Sequence, residues 1–420
     1  LPRICILLPW CGGPSAQMFD FDQLDESIEV GGALRSDAAR GEPPQPVAAK
    51  CSGAEEGIDE RLIATDEDVY WAEQRLHTQS RGLYDPRDMA RKRRPARSST
   101  SSSLRVSVVT PTTEGRSAFH DQLWECFRRQ TWADKELVVV ETYPTQASPV
   151  FSLIAPHRED LVHVSFKRSQ DLSIGMKRNM GVAVASGDII VVFDDDDIYA
   201  PDYIEVMVNE LLSRRLAAVT LSSWYDFDVR SGVCGFVDPV ALNDLDLLPW
   251  SSHVMKGADK SMPEVQELFR ERLEATLYGY GFSFVYFRKL ALRHPYPDFR
   301  TSEDLPFMLN LRTALGNDTV GLVRDERGIC LHLMHGGNTV ASAAHRRVTC
   351  REMQALSVCS LPVCGTKYLE ACRRCRDSFS TGRFRVHAET HAKAAQRVLA
   401  RAQELVERYR PCEEKLLAKK

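Results

Sequence analysis

The chain has 420 residues, and its hydrophobic fraction of 43% and charged fraction of 27% are those of an ordinary globular protein. A formal net charge of −4 argues against binding to nucleic acid through a strongly basic surface, so we expect no nucleic-acid partner. No apolar run reaches the roughly 20 residues that span a bilayer, and ICILLPWC at residues 4–11 is too short. We therefore expect no transmembrane segment and a cytoplasmic location.

Residues 1–103 have the composition of a low-complexity, largely disordered region. Pro- and Gly-rich text such as GEPPQPVAA lacks the apolar residues of a core. The region ends in RKRRPARSSTSSS, a basic run followed by a serine tract, which is typical of a flexible linker. We therefore place the start of the folded domain at residue 104.

Strand and helix patterns alternate between residues 104 and 222. Five apolar runs predict strands: LRVSVVT (104–110), ELVVVE (136–141), DLVHVSF (160–166), DIIVVF (188–193) and LAAVTLS (216–222). Helices are predicted over 117–130, 172–186 and 200–214, the last with Pro201 in its first turn. This alternation predicts an α/β fold with a doubly wound, mostly parallel sheet, in which ligands bind at the carboxyl ends of the strands.

The rest of the domain, to residue 345, is less regular. Residues 238–261 have the composition of a loop-rich insertion, helices are predicted over 263–277 and 303–315, and strands over 282–287 and 329–333. Residues 346–420 form a separate Cys-rich and helical C-terminal extension in this prediction. The expected organisation is an N-terminal region (1–103), one α/β domain (104–345) and that extension (346–420).

Four consecutive aspartates follow the fourth predicted strand in VVFDDDDIYAPDY. Alternate side chains of an extended chain share a face, so Asp194 and Asp196 are expected to converge while Asp195 points away. Two converging carboxylates suit Mg²⁺ or Mn²⁺, whose coordination is completed by phosphate and water. The alternative is an acidic turn in which Asp197 or Asp202 caps the helix that follows.

The stretch SIGMKRNMGVAVASGDIIVVFDDDDIYAPDYIE resembles the core signature of family 2 glycosyltransferases, which have a GT-A fold. In that family an R-N-x-G helix precedes a G-D/E strand and a D-x-D metal motif, and the order is the same here. The resemblance covers roughly residues 104–340 and implies a GT-A-type sheet. It also implies that Asp194 and Asp196 bind Mn²⁺ or Mg²⁺, bridging to the diphosphate of a nucleotide sugar.

The resemblance implies further donor-binding residues. VSVVTPTTEGR resembles the first strand and its nucleotide-facing loop, and ELVVVETYPT resembles the second strand, where the family usually carries an Asp that contacts uracil. Here that position is Glu141, which keeps the carboxylate on a longer side chain. The residues expected to contact the nucleotide sugar are Thr110, Pro111, Thr112, Glu141, Arg178, Asn179 and Asp195.

Two later motifs complete the expected site. TSEDLPFML places Glu303 and Asp304 where the family has its general base, and by that match Asp304 is the candidate. The alternative is that both carboxylates only favour a helix N-terminus. HLMHGGNT resembles the H-G-x-N-T segment of the family, so His335 is a candidate ligand of the metal or the diphosphate, or else an exposed loop residue; His332 is expected to be packed.

The expected function is therefore metal-dependent transfer of a sugar from a nucleotide sugar, such as a UDP-sugar, to a hydroxyl acceptor. The resemblance implies inversion, with Asp304 as base. One alternative is an inactive GT-A-like module that binds a sugar nucleotide or glycan without turnover. Another is a nucleotidyltransferase, although TPTTEGR lacks the Gly-rich, Lys-containing phosphate loop of that class.

The C-terminal extension contains a cluster of cysteines. CSLPVCGTKYLEACRRC carries Cys359, Cys364, Cys372 and Cys375. Four cysteines are enough for a tetrahedral zinc site, although the spacing is tighter than in usual zinc ribbons. The neighbouring arginines favour thiolates, so disulfide or redox pairing is an alternative, and ordinary free thiols are a third.

Overall fold

A mixed sheet forms the centre of the computed structural model, which describes residues 59–94, 104–240, 270, 273–335, 338 and 346–375. Most of the predicted N-terminal region and of the insertion at 238–261 lies outside the described residues. Most of the helix predicted over 263–277 and residues 376–420 of the C-terminal extension also lie outside them. Within the described part the sheet has eleven strands, and none of its helices has the length and apolar character that a bilayer crossing requires.

The first half of the sheet is parallel, in the order β3-β2-β1-β4. Its strands are β1 (Val106–Thr113), β2 (Lys135–Tyr143), β3 (Leu161–Lys167) and β4 (Ile189–Val192). The preceding and connecting helices in the chain are α1 (Asp66–Gln79), α2 (Pro86–Lys92), α3 (His120–Arg128), α4 (Pro149–Ile154) and α5 (Ile174–Val184). The strands are rich in Val and Ile and almost wholly buried, as expected for a sheet covered by helices on its faces. The predicted mostly parallel α/β sheet is confirmed.

The second half of the sheet is built around one long strand. The elements are β5 (Ile198–Tyr199), α6 (Tyr203–Ser213), β6 (Ala218–Asp228), β7 (Val233–Val237), β8 (Val285–Phe287), α7 (Arg288–Arg293), α8 (Asp304–Leu315), β9 (Val320–Arg324) and β10 (Cys330–Met334). β8 joins the halves, since it pairs antiparallel with both β4 and β6. β9 and β10 run parallel to β6, so the segment after β10 returns to the carboxyl end of β4.

Helices α1 and α2 pack on the domain, although the sequence places them in a disordered region that ends at residue 103. Thr65 and Asp68 form a capping box at the start of α1, and Ala72 and Leu76 on its inner face are buried. Arg293 on α7 donates a hydrogen bond to Asp68 at 2.7 Å. The packed body therefore begins well before residue 104, because the acidic segment also carries an apolar face.

The described residues of the C-terminal extension also pack on the sheet rather than forming a separate tail. This C-terminal cap, residues 346–375, comprises β11 (Arg346–Val348), α9 (Cys350–Gln354), a π-helical turn (Cys364–Leu369) and α10 (Glu370–Cys375). β11 pairs antiparallel with β7, and Tyr368 is buried edge-to-face against Phe227 of β6. The strand ICLHL, predicted to be the last, is thus followed by one more.

Candidate active site

The acidic run lies at the carboxyl end of β4, beside the end of β1. Asp195 and Asp196 occupy a turn, and one carboxylate oxygen from each of Asp194, Asp196 and Asp197 lies within 4.8 Å of the others. Asp195 points elsewhere and accepts a 2.5 Å hydrogen bond from Thr112 Oγ1. Asp194 and Asp196 therefore converge and Asp195 diverges, as alternation suggests, but it is a turn that separates them.

Asp196 is in contact with a guanidinium group and an imidazole ring. Arg116, in the short 3₁₀ turn after β1, donates a hydrogen bond to Asp196 Oδ2, and His335 Nε2 lies 2.8 Å from the same oxygen. Although burial raises it, the contact with His335 and the charge of Arg116 hold the pKa of Asp196 below its usual value. Phe119 stacks on the His335 ring at 5.0 Å between centroids. The sequence motifs identify His335 as a candidate ligand but do not identify Arg116. The position of Arg116 in the loop TEGR, directly after the first strand, could have indicated it.

Asp197 is an anchor for the strand that precedes His335. Its two carboxylate oxygens lie 3.0 and 2.9 Å from His332 Nδ1, and Oδ1 also accepts the Leu333 N–H at 2.9 Å. Although burial opposes it, the charge of Asp197 raises the pKa of His332 to about 9. His332 is packed as expected, stacked on Phe282 at 4.9 Å. The bonds of Asp197 thus lie within the protein and not at the N-terminus of α6.

Helix α6 begins differently from its prediction. It starts at Tyr203 with Asp202 as the N-cap residue, and neither Asp197 nor Asp202 makes a side-chain capping hydrogen bond there. Pro201 precedes the N-cap instead of lying in the first turn. The aromatic packing of Tyr199 on Phe193, at 3.7 Å, and of Tyr203 on both rings holds this junction.

Arg178 on α5 connects the acidic run to the second carboxylate motif. Its guanidinium lies 3.3 Å from Asp194 Oδ1, 3.1 Å from Glu303 Oε1 and 3.5 Å from Asp304 Oδ1. Although burial disfavours the cation, the surrounding carboxylates raise the pKa of Arg178 well above its usual value. Arg178 therefore keeps its positive charge, and it pairs with carboxylates from two other parts of the sequence.

Asp304 is the first residue of α8, and besides its ion pair with Arg178 it has one hydrogen bond. Its Oδ2 accepts the Gly281 N–H at 3.1 Å, whereas the buried Oδ1 has no hydrogen-bond partner. Burial, opposed by Arg178, raises the pKa of Asp304 well above its usual range. A Cβ on Gly281 would lie 2.1 Å from Asp304 Oδ1, so only glycine leaves room for this carboxylate.

The two neighbours of Arg178 on α5 have structural contacts. The Asn179 amide donates to the Tyr296 carbonyl at 2.8 Å and accepts the Tyr296 N–H at 2.9 Å. Lys177 Nζ donates to the Thr112 carbonyl at 2.6 Å and pairs with Asp171 at 2.7 Å. Asn179, which was expected to contact the donor directly, has both ends of its amide occupied, so it positions the segment at Tyr296.

A buried polar chain runs from Asp195 into the predicted nucleotide pocket. Thr112 Oγ1 lies 2.8 Å from His120 Nε2, and His120 Nδ1 lies 2.7 Å from Ser148 Oγ. Burial lowers the pKa of His120 to about 4, so the ring is neutral and bridges two hydroxyl groups. A neutral ring with Nε2–H donates to Thr112, whose hydroxyl then donates to Asp195.

Glu141, expected to contact the base, closes the far end of this chain. Its carboxylate is fully buried, accepts the Ser148 N–H at 2.8 and 3.0 Å, and lies 2.7 Å from His163 Nε2. The Glu141 carboxylate is thus hydrogen-bonded within the protein and is not left available for a ligand. On the neighbouring strand β1, Thr110 is fully buried and its hydroxyl oxygen has no hydrogen-bond partner, and Pro111 is half-buried.

The carboxylates of the acidic run suit a hard divalent cation. Asp194 retains 31% of its side-chain exposure, and it converges with Asp196 beside His335. The guanidinium groups of Arg178 and Arg116 already neutralise part of this charge. Among the residues that the structure describes, no other group of three or more His, Cys, Asp or Glu side chains is close enough to hold a metal.

Part of this site lies in a region that is similar to a known family. Residues 107–237 match the model of glycosyl transferase family 2. The uncharacterized glycosyltransferase YwdF of Bacillus subtilis (strain 168) is 32% identical over 108 residues, which are 26% of this chain and 38% of that protein. The chain therefore spans well under half the length of this curated relative. The resemblance inferred from the sequence is confirmed over the region that contains the first loop, Arg178 and the acidic run.

Two solved structures share part of the backbone arrangement. Glucosyl-3-phosphoglycerate synthase from Mycobacterium tuberculosis, in complex with Mn²⁺, UDP and phosphoglyceric acid, is 18% identical, with 53% of this chain and 68% of that chain covered and a TM-score of 0.34. S. aureus TarS 1-349, in complex with UDP-GlcNAc, is 14% identical, with 59% and 62% covered and a TM-score of 0.38. At these identities and TM-scores neither structure adds to the sequence match over residues 107–237.

Proposed function

We propose that this chain, whose residues 107–237 belong to glycosyl transferase family 2, transfers a sugar from a nucleotide sugar to a hydroxyl-bearing acceptor. A UDP-sugar is the donor we favour. The observation that carries the proposal is the position of Arg178, whose guanidinium pairs with Asp194 and Asp304 at once. A site for sugar transfer needs a diphosphate-binding centre and a base within reach of one sugar, and this pairing supports that arrangement.

Asp194, Asp196 and His335 are the proposed ligands of Mn²⁺ or Mg²⁺. A bound divalent cation neutralises the negative charge that develops on the leaving diphosphate. Arg116 also contacts the Asp196 carboxylate, and its guanidinium lies 2.9 Å from His335 Nε2. The guanidinium is therefore placed to contact the diphosphate as well. Asp197 supports this centre indirectly, since it fixes the strand that leads to His335.

Asp304 is the proposed general base. Its unpartnered Oδ1 is the atom that would accept the proton of the acceptor hydroxyl, while the Gly281 N–H holds the other oxygen. Burial raises the pKa of Asp304, and the charge of Arg178 opposes that shift, so Arg178 favours the carboxylate form that a base requires. With the base acting directly on the acceptor, the reaction is a single displacement that inverts the anomeric carbon.

The donor nucleotide is proposed to bind along the end of β1. Thr110, Pro111 and Thr112 form that edge, with Arg178 towards the diphosphate and Asp195 acting through its hydrogen bond with Thr112. Glu141 and Asn179 are proposed to act through Ser148 and Tyr296, whose backbone groups they hold. In this proposal the Glu141 position contributes the shape of the base pocket and not a direct hydrogen bond.

A panel of nucleotide sugars tests the proposal. The full chain is assayed for hydrolysis and transfer with Mn²⁺, Mg²⁺ or EDTA, alongside Asp304→Asn. We expect turnover with at least one UDP-sugar, loss of turnover in EDTA, and loss of about 10²-fold or more in Asp304→Asn with donor binding retained. Donor binding without turnover in the wild type would indicate a binding module, and activity unchanged by EDTA would exclude the metal.

A further inference from the structure

The C-terminal cap contains two pairs of cysteines in direct sulfur–sulfur contact. Cys350 Sγ lies 2.9 Å from Cys372 Sγ, and Cys359 Sγ lies 3.3 Å from Cys364 Sγ. Each contact joins two elements of the cap: the first links α9 to α10, and the second links the turn before the π-helical segment to its first residue. The packing of the cap therefore brings four cysteines together as pairs.

This arrangement differs from a structural zinc site. Zinc needs four ligand atoms around one point, and no set of three or more cysteine sulfurs within the described residues is close enough for that. Cys375 lies on α10, three residues after Cys372, and is buried outside both contacts. Of the three alternatives that the sequence left open, the geometry favours pairing.

Each pair combines an accessible thiol with a buried one. Cys350 and Cys359 are partly exposed, whereas Cys364 is fully buried and Cys372 is 5% exposed. The hydrogen bond with Cys364, with help from the charge of Arg373, lowers the pKa of Cys359. An accessible thiolate is the group that attacks an external disulfide, and a buried neighbour is placed to resolve the product.

We infer that Cys350–Cys372 and Cys359–Cys364 are two dithiol–disulfide couples that close the cap by exchange with a low-molecular-weight disulfide such as glutathione disulfide. In each pair the accessible thiolate attacks one sulfur of that disulfide and expels one thiolate. The buried thiol then gives up its proton, and its sulfur attacks the mixed disulfide and expels the second thiolate. The protein pair is oxidised, the external disulfide is reduced to two thiols, and the two protons lost by the cysteines are taken up by them.

The cap touches the backbone beneath the acidic run. Tyr368, in the same π-helical turn as Cys364, donates a 2.6 Å hydrogen bond to Gln122 Oε1. The Gln122 amide in turn donates to the carbonyls of Asp196 at 3.2 Å and Asp197 at 3.4 Å. Oxidation of the pairs thus fixes the segment that supports Gln122, although the pairing itself does not depend on the reaction that the site performs.

Peptide mapping of the full chain tests the inference. The protein is reduced, equilibrated in glutathione buffers of rising oxidised fraction, quenched by alkylation, denatured and digested with trypsin. We expect the peptides 348–351 and 368–373 to become linked, and the peptide 352–367 to lose two hydrogen atoms and resist alkylation. Cys126 and Cys330, which are fully buried, should remain reduced throughout.

Matched variants distinguish the pairs from accidental neighbours. Cys372→Ser should abolish the first link and leave the second, whereas Cys375→Ser, on the same helix, should leave both. A link from Cys350 to Cys375 in the wild type, or thiols that stay reduced in fully oxidised glutathione, would overturn the inference. So would zinc that copurifies with the chain and is lost in Cys372→Ser.

A second measurement needs no substitution and so avoids variants that fold poorly. Thermal unfolding of the wild-type chain is followed after oxidation, with and without added phosphine reductant. Closing the loops should raise the unfolding midpoint by several degrees, and the reductant should remove that increase. An unfolding midpoint that is the same with and without the reductant would contradict the formation of stabilising disulfides in the cap.

Discussion

The guanidinium of Arg178 lies 3.5 Å from the carboxylate of Asp304. The same group contacts Asp194, so a single buried cation connects the proposed base to the acidic run. Neither carboxylate is close to the other in sequence, and Arg178 is on a third element. Both are therefore positioned relative to one another by a charge that does not titrate.

Replacement of Arg178 by lysine tests this connection. Lysine keeps the charge but cannot reach Asp194, Glu303 and Asp304 together, so the base should lose its orientation. Losing charge-assisted hydrogen bonds should lower kcat roughly 10- to 100-fold. Steady-state kinetics measure it, with Arg129→Lys, in an exposed pair with Glu125, as the matched control. Wild-type kcat in Arg178→Lys would contradict the connection.

Replacement of Gly281 by alanine should displace Asp304. The new Cβ would lie 2.1 Å from Oδ1, and the carboxylate must move or lose the Gly281 N–H hydrogen bond. We expect turnover to fall by at least about tenfold while donor binding changes little, because the base acts only on proton transfer. Gly365→Ala is the control, since its Cβ would meet nothing closer than 3.9 Å. Equal losses in both variants would indicate general damage.

Metal binding should stabilise the chain through Asp194 and Asp196. A ligand that binds only the folded state adds about 2.7 kcal/mol when present at about 100 times its Kd. Differential scanning fluorimetry with Mn²⁺ should therefore show a raised unfolding midpoint in the wild type and none in Asp196→Asn. Asp202→Asn, at an acid outside the cluster, should retain the shift. An undiminished shift in Asp196→Asn would place the metal elsewhere.

His120 should make stability depend on pH. Its folded pKa is about 4 against an ordinary value of 6.5, so below pH 6.5 the unfolded state binds the proton first. The free energy of unfolding should then fall as the pH drops from 6.5 through 4, by roughly 3 kcal/mol for this group. Denaturant unfolding at pH 7 and 4.5 measures the loss, which should shrink in His120→Gln. His157→Gln, at an exposed position, should behave as wild type.

Local pattern explains why the fold was predictable. The apolar runs of β1 to β4 and the helical run of α5 each carry their own periodicity, and their alternation indicates a parallel sheet without any tertiary information. The same holds for the position of the acidic run, since a strand end is visible in the sequence. The acidic segment at residues 55–79 is helix-compatible in sequence, but the packing of α1 and α2 on the domain was not predicted, because the apolar face is narrow within charged residues.

The sequence by itself determined the family resemblance, the sheet and the acidic run at its edge, because these depend on residues that are neighbours in the chain. Only the tertiary structure decided which polar atoms are engaged. It enclosed Glu141 between Ser148 and His163, and it brought Arg116 to Asp196 across 80 residues. It also divided the cysteines of the cap into pairs. Such contacts depend on how elements pack, and packing is set by the whole core and not by any local stretch.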